Sequence, residues 1–199
     1  MCAAFLASTR EVADLNQYWY SESTIAALVS ASVELAARAA SARGDTENAG
    51  RIAFISTPSL YFALPASARS GGQHAVLDID TQWSGDAGFA RFDFRAGADA
   101  LPASLRGAFD VCVIDPPFIT EEVWRAYADA ARALLRAEGG ALVLTTVAEN
   151  AGLLNALFGA RRTAFQPSIP HLVYQYDTFC TCDGALPAAL AKSNPEIPL

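Results

Sequence analysis

Positive charge is scarce in this chain. Its 199 residues include 14 Lys and Arg against 21 Asp and Glu, for a net charge of -7 and a pI near 4.7. Every cation but Lys192 is an Arg, and the longest basic run is the pair Arg161-Arg162. Nucleic-acid binders take much of their affinity from phosphate contacts and present a basic face for them. The charge therefore leans away from DNA and RNA and toward a small molecule or a basic protein partner. Metal-binding residues are sparse too. Cys2, Cys112, Cys180 and Cys182 form no C-x-x-C pair, and His74 and His171 are not at ligand spacing, so no metal is expected. The thiols read as reduced, with Cys180 and Cys182 as packing residues on one strand face. The N-terminus carries Arg10 and Glu11 and has no apolar leader core. No apolar run reads as long enough to span a bilayer. The expectation is a soluble, cytoplasmic protein without a membrane partner.

What is present is apolar: 52% of residues are hydrophobic and 18% charged. That suits one globular domain over residues 1–199, with 1–13 and 184–199 expected to be loose. "SESTIAALVSASVELAARAASA" has helical apolar spacing, Ser21 as cap and Glu22 in its first turn. A loop follows at 43–50. "RIAFIS" (51–56) is a strand, and "TPSLYFALPASA" a helix with Thr57 as cap and Pro58 at its first position. Further strands are expected at 74–80, 89–94, 108–115 and 141–147, with helices over 120–140 and 148–160. The stretches "RRTAFQPS" and "LVYQYDTFCTC" read as two closing strands, paired antiparallel at a sheet edge. Alternating strands and helices predict an α/β fold with a mostly parallel sheet covered on both faces. In such sheets ligands bind beyond the carboxyl ends of the strands, where strand order reverses. Ser56, Asp78 to Asp80, and Asp115 to Phe118 all fall at such ends.

The most informative corner is "VIDPPFITEE". Two prolines remove two N–H donors and fix φ at both positions, and the first pushes Asp115 toward an extended conformation. The result is a rigid shelf of acceptors, the Asp115 carboxylate and a neighbouring main-chain carbonyl, with Phe118 beside them. An acceptor shelf suits an amine, whose lone pair would be left free for an electrophile. A sulfonium is attracted to aromatic faces. The plain alternative is a strand-to-helix turn, since Asp and Pro are ordinary turn residues.

D-P-P-F resembles the [DNS]-P-P-[FYW] motif of amino-group methyltransferases. "QYWYSESTIAAL", "RIAFISTPSLYFAL", "FDVCVIDPPFITEE" and "FQPSIPHLVYQYDTF" together resemble, in order and spacing, one family. It was first called N6-adenine methyltransferase-like and later assigned as lysine methyltransferases acting on translation elongation factor one-alpha. The resemblance implies a class I fold, a seven-stranded Rossmann-like sheet, and S-adenosyl-L-methionine as cofactor. It implies catalytic roles for Asp115, Pro116, Pro117 and Phe118. On the cofactor side it implies Gln17, Tyr18, Trp19, Tyr20 and Ser21, then Ser56, Thr57, Pro58 and Ser59, then Asp80 over Asp78 for the ribose, and Asp93 near the adenine. Two departures stand out: Glu22 replaces a common proline, and "STPSLY" stands where methyltransferases usually carry G-x-G-x-G. Trp124 reads as core, and Arg161 and Arg162 as a solvated strand start. The activity implied is methyl transfer to a protein lysine. Adenine-N6 methylation of DNA or RNA is the alternative, and a cofactor-binding module without turnover a third.

Overall fold

The computed structural model describes residues 2–45, 50–138, 140–182 and 184–198. Residues 46–49 of the loop expected at 43–50 lie outside the described residues. The helices are α1 (Cys2–Ser8), α2 (Glu22–Ala42), α3 (Pro58–Ala63), α4 (Ala66–Ser70), α5 (Glu121–Leu134) and α6 (Ala151–Phe158). The strands are β1 (Ile52–Ile55), β2 (Ala75–Asp78), β3 (Phe89–Arg91), β4 (Val111–Ile114), β5 (Ala141–Val147), β6 (Arg161–Arg162) and β7 (Tyr176–Cys180). They form one seven-stranded sheet in the order β3-β2-β1-β4-β5-β7-β6. Pairing is parallel from β3 through β5, and β7 runs antiparallel to both β5 and β6. The expected fold class and its antiparallel edge are therefore present.

Strands β1, β2, β4 and β5 are buried throughout, as parallel strands covered on both faces must be. Side chains alternate between two cores. Ala53, Ile55, Cys112 and Ile114 pack with Trp124, Tyr127 and Leu134 of α5 and Leu154 of α6. Ile52, Phe54, Val111 and Val113 pack with Ile25, Leu28 and Leu35 of α2 and Leu60 and Tyr61 beside β1. Ser21 caps α2, its Oγ accepting from Thr24 N at 3.2 Å. By length and composition this 21-residue helix is apolar enough to cross a membrane, contrary to the sequence reading. Its stripe Ile25, Leu28, Ala31 and Leu35 is instead spent on the sheet.

Several boundaries differ from expectation for local reasons. The helix expected over 57–68 is split, because Leu64 is extended ahead of Pro65 (φ -64°, ψ 149°). Thr57 occupies the cap position, but its hydroxyl donates toward the Val113 carbonyl at 3.5 Å and does not cap. The third strand stops at Arg91, since Asp93 accepts from Arg95 N at 3.1 Å and turns the chain. Cys180 and Cys182 both pack against the α2 side of the sheet.

Among the described residues, several in the termini expected to be loose pack against the rest of the fold. Phe5 of α1 is buried, with its ring 5.3 Å from Trp19, 5.8 Å from Phe62 and 5.6 Å from Trp83. At the other end Leu190 is fully buried, and Ala164 N donates to its carbonyl at 3.2 Å. Asn194 Nδ2 donates to Gln166 O at 2.9 Å and to Thr24 Oγ1 at 3.3 Å. The first segment holds little beyond the short helix α1 and the second only turns, so composition alone does not distinguish them from solvated tails. Leu190→Ala should cost about 2–4 kcal/mol in chemical denaturation. A loose tail would give a change under about 0.5 kcal/mol.

Candidate active site

Register brings the site together. Ile55 of β1 pairs with Leu77 of β2 and with Ile114 of β4. The next residues, Ser56, Asp78 and Asp115, therefore stand side by side at the carboxyl ends, where strand order turns from β2 on one side to β5 on the other. The crevice above them has two lobes sharing Leu15, Ser56, Ile79 and Pro117. The first is an open cleft of about 590 Å³, counting the solvent at its mouth, and is lined by Asn16, Gln17, Tyr18, Trp19, Pro58, Asp78, Asp115, Pro116, Ile169, Leu172 and Tyr176. The second, of about 440 Å³, is lined by Asp14, Phe92, Asp93, Phe94, Arg95, Phe118 and Tyr127.

Ser56 has φ 55°, a left-handed conformation that a non-glycine residue adopts at some cost. It is held there by Ser56 N donating to Leu77 O at 2.8 Å and by its Oγ 2.7 Å from the Tyr127 hydroxyl. The turn that glycine usually makes is thus made by a pinned serine, which accounts for the missing G-x-G-x-G. Asp115 leaves β4 half-buried, with Tyr20 OH donating to its Oδ2 at 2.5 Å. The Tyr20 hydroxyl also lies 2.6 Å from Thr145 Oγ1 of β5. The Pro117 carbonyl accepts from Asn16 Nδ2. Phe118 is exposed at the rim, its ring 6.5 Å from Phe94 in an edge-on arrangement.

Most of the residues singled out in the sequence meet here. Asp115, Pro116, Pro117, Gln17, Tyr18, Trp19, Ser56 and Pro58 line the first lobe, and Phe118 and Asp93 the second. Others do not reach it. Thr57 and Ser59 are buried in the turn below. Ser21 is committed to capping α2 and to a hydrogen bond with Glu196 at 2.5 Å. Tyr20 is buried behind Asp115, while the carboxylate of Asp80 is engaged by Gln17 Nε2 at 3.0 Å and by Gln82. Asp78, and not Asp80, lines the crevice; its Oδ1 accepts from Asp80 N at 2.9 Å. Sequence reasoning missed Asn16, Phe92, Tyr127, Thr145 and Tyr176. Asn16 had a usable signal, as Asn tolerates the left-handed conformation it adopts (φ 52°). Trp124 is core, and Arg162 is an exposed strand start paired with Asp177 at 2.7 Å.

The buried carboxyl of Asp78 and the half-buried one of Asp115 share a lobe with Ile169, Leu172 and Tyr176, which makes the crevice suited to a cation. Burial is the main cause that pushes Asp115 up to about 7, against hydrogen bonds from Tyr20 and Thr145 that lower it. Burial likewise pushes Asp78 up to about 6. The aromatic second lobe has the walls an adenine ring needs, so the residues present fit S-adenosylmethionine. Both carboxyls are neutral at low pH and ionise on the way to neutrality. Affinity for this sulfonium should therefore rise as pH increases from about 5.5 to about 7.5. Calorimetric titration checks it: S-adenosylhomocysteine, which lacks the charge, should show a shallower rise, and Asp115→Asn should flatten the upper part.

Residues 11–184 match the model of a family described as probable N6-adenine methyltransferase. The chain is 27% identical over 174 residues to EEF1A lysine methyltransferase 1 of Homo sapiens, covering 84% of this chain and 76% of that protein. It is 29% identical over 155 residues to the Bos taurus protein of that name, of which it spans 62%. Protein-lysine N-methyltransferase M142.8 of Caenorhabditis elegans is 30% identical over 158 residues, covering 77% of this chain and 69% of that one. Among solved structures, the branched-chain polyamine synthase of Thermus thermophilus superposes with a TM-score of 0.53. It covers 96% of this chain and 69% of the synthase at 17% identity, a likeness of fold. With a Rossmann-like sheet and D-P-P-F at its order reversal, the chain belongs to the probable N6-adenine methyltransferase family.

Proposed function

We propose that this protein is an S-adenosylmethionine-dependent N-methyltransferase that modifies a lysine side chain of translation elongation factor one-alpha. The observation that carries the reading is the acceptor shelf Asp115-Pro116-Pro117, set in the same crevice as a cation-suited, aromatic-walled pocket. The names of the relatives support a protein lysine as the target. A substrate of cytosolic translation implies a cytoplasmic enzyme.

When bound, S-adenosylmethionine supplies an electrophilic methyl group to the amine nitrogen. Phe92, Asp93, Phe94 and Phe118 would hold its adenine, Asp78 its ribose, and Ser56 and Gln17 would border it. The chain's own work concerns the amine. A lysine ammonium has a pKa of about 10.4 and no lone pair, so before it can react it must give up a proton, to solvent as it enters the crevice. Ionised Asp115 attracts the ammonium, while the walls of Ile169, Leu172 and Tyr176 exclude water and favour the neutral amine. Asp115 and the Pro116 carbonyl then accept its N–H groups, which leaves the lone pair free. Because the two prolines offer no N–H, nothing on the shelf competes for that lone pair.

The net charge of -7 speaks against the adenine reading that the family's description carries. Incubation of the protein with cell lysate and tritium-labelled S-adenosylmethionine separates the two. Label should enter a protein band of the elongation factor's size and fall at least about 100-fold with Asp115→Ala. Label confined to the nuclease-sensitive fraction would overturn the lysine reading in favour of adenine.

A further inference from the structure

The segment before α2 reaches the shelf from behind. Tyr20 is 3% exposed, and its hydroxyl donates to Asp115 Oδ2 at 2.5 Å. Four residues earlier, Asn16 donates to the Pro117 carbonyl. Two acceptors of the shelf are thereby filled by the protein itself. Tyr20 and Asn16 thus leave Oδ1 of Asp115 and the Pro116 carbonyl to other donors, and a neutral primary amine carries two N–H groups to match them. The family resemblance assigns this segment to the cofactor; the geometry gives Tyr20 other work.

We propose that Tyr20 is a positioning residue, which occupies one oxygen of Asp115 and fixes the carboxylate so that the amine is held by the other oxygen and the Pro116 carbonyl. This rests on the methyltransferase reading of the crevice. Tyr20 acts through Asp115 and does not line either lobe. Nor is it a proton exit: Tyr20 and its second partner Thr145 are both buried, so the chain of hydroxyls runs into β5 and not out to water. The other titratable groups around Asp115 are the phenols Tyr127 from α5 and Tyr176 from β7, with the carboxyl of Asp78 across Ser56 and Tyr18 in the same lobe. Tyr127 is bonded to Ser56, so Tyr20 is the phenol that hydrogen-bonds the carboxylate.

Tyr20→Phe keeps the ring and removes the donor. The first readout needs no activity: carbon-13 NMR titration of the Asp115 carboxyl in the ligand-free protein. Losing a hydrogen bond to the ionised form should raise the titration midpoint by about one unit, and Thr145→Val should raise it by less. In the kinetics, kcat should fall by about 10–100-fold while KM for S-adenosylmethionine changes by less than about two-fold. An unchanged midpoint in the folded Tyr20→Phe protein would overturn the proposal. So would a lost cofactor affinity at unchanged kcat, which would make Tyr20 a cofactor residue. Should Tyr20→Phe fail to fold, proton NMR of the wild-type protein carries the test: a slowly exchanging, downfield Tyr20 hydroxyl proton is expected, and its absence would overturn the proposal. A wild-type protein that transfers no methyl would sink the functional reading, and the NMR midpoint would still decide the role of Tyr20.

Discussion

The carboxylate of Asp115 has to be kept at the end of a buried parallel strand, and much of the structure answers to that requirement. β4 lies between β1 and β5 and is buried along its length, so the sheet itself puts Asp115 against apolar neighbours. Such a position disfavours charge, and burial pushes the group up to about 7. Tyr20 and Thr145 offset part of that cost by hydrogen bonding. The prolines that follow stop the main chain from supplying donors of its own. A carboxyl poised near neutrality can hold a cation or an amine without being locked permanently into an internal ion pair.

The second constraint is the segment that covers this corner. Residues 9–21 have little regular structure, yet they are tied down at each step. Trp19 N donates to Glu11 Oε1 at 2.8 Å, and Trp19 Nε1 to Thr9 O at 3.2 Å. Glu11 in turn lies 2.7 Å from His171 in the loop before β7. The indole packs into the aromatic cluster that α1 completes through Phe5. At the segment's other end, Ser21 meets Glu196 of the C-terminal tail. Both termini therefore serve to fix the chain that carries Asn16, Gln17 and Tyr20. This links packing remote from the crevice to the geometry of the acceptors within it.

How legible this was in the sequence depended on periodicity. α2 and α5 announce themselves through apolar spacing and through the caps Ser21 and Thr120, each of which accepts from the backbone N three residues on. The central strands are equally plain as short apolar runs, and D-P-P-F is visible because two prolines at a strand end are chemically unusual. Side-chain direction was not legible. Asp78 and Asp80 differ by two residues and both follow an apolar strand, but only Asp78 lines the crevice, while Asp80 is turned to Gln17 and Gln82. Tyr20 reads as one aromatic among several in "QYWYS"; only the fold places it behind Asp115. The burial of Phe5 and Leu190 was not legible either, because isolated apolar residues follow no period and their burial is decided by what they pack against.

A crystal structure with S-adenosylhomocysteine tests the central claim most directly, because it fixes where the reacting sulfur sits relative to the shelf. The account predicts the adenine in the lobe of Phe92, Phe94 and Phe118, and the sulfur beside Asp115 and Pro116. A nucleoside seated elsewhere, or a sulfur turned away from Asp115, would contradict it.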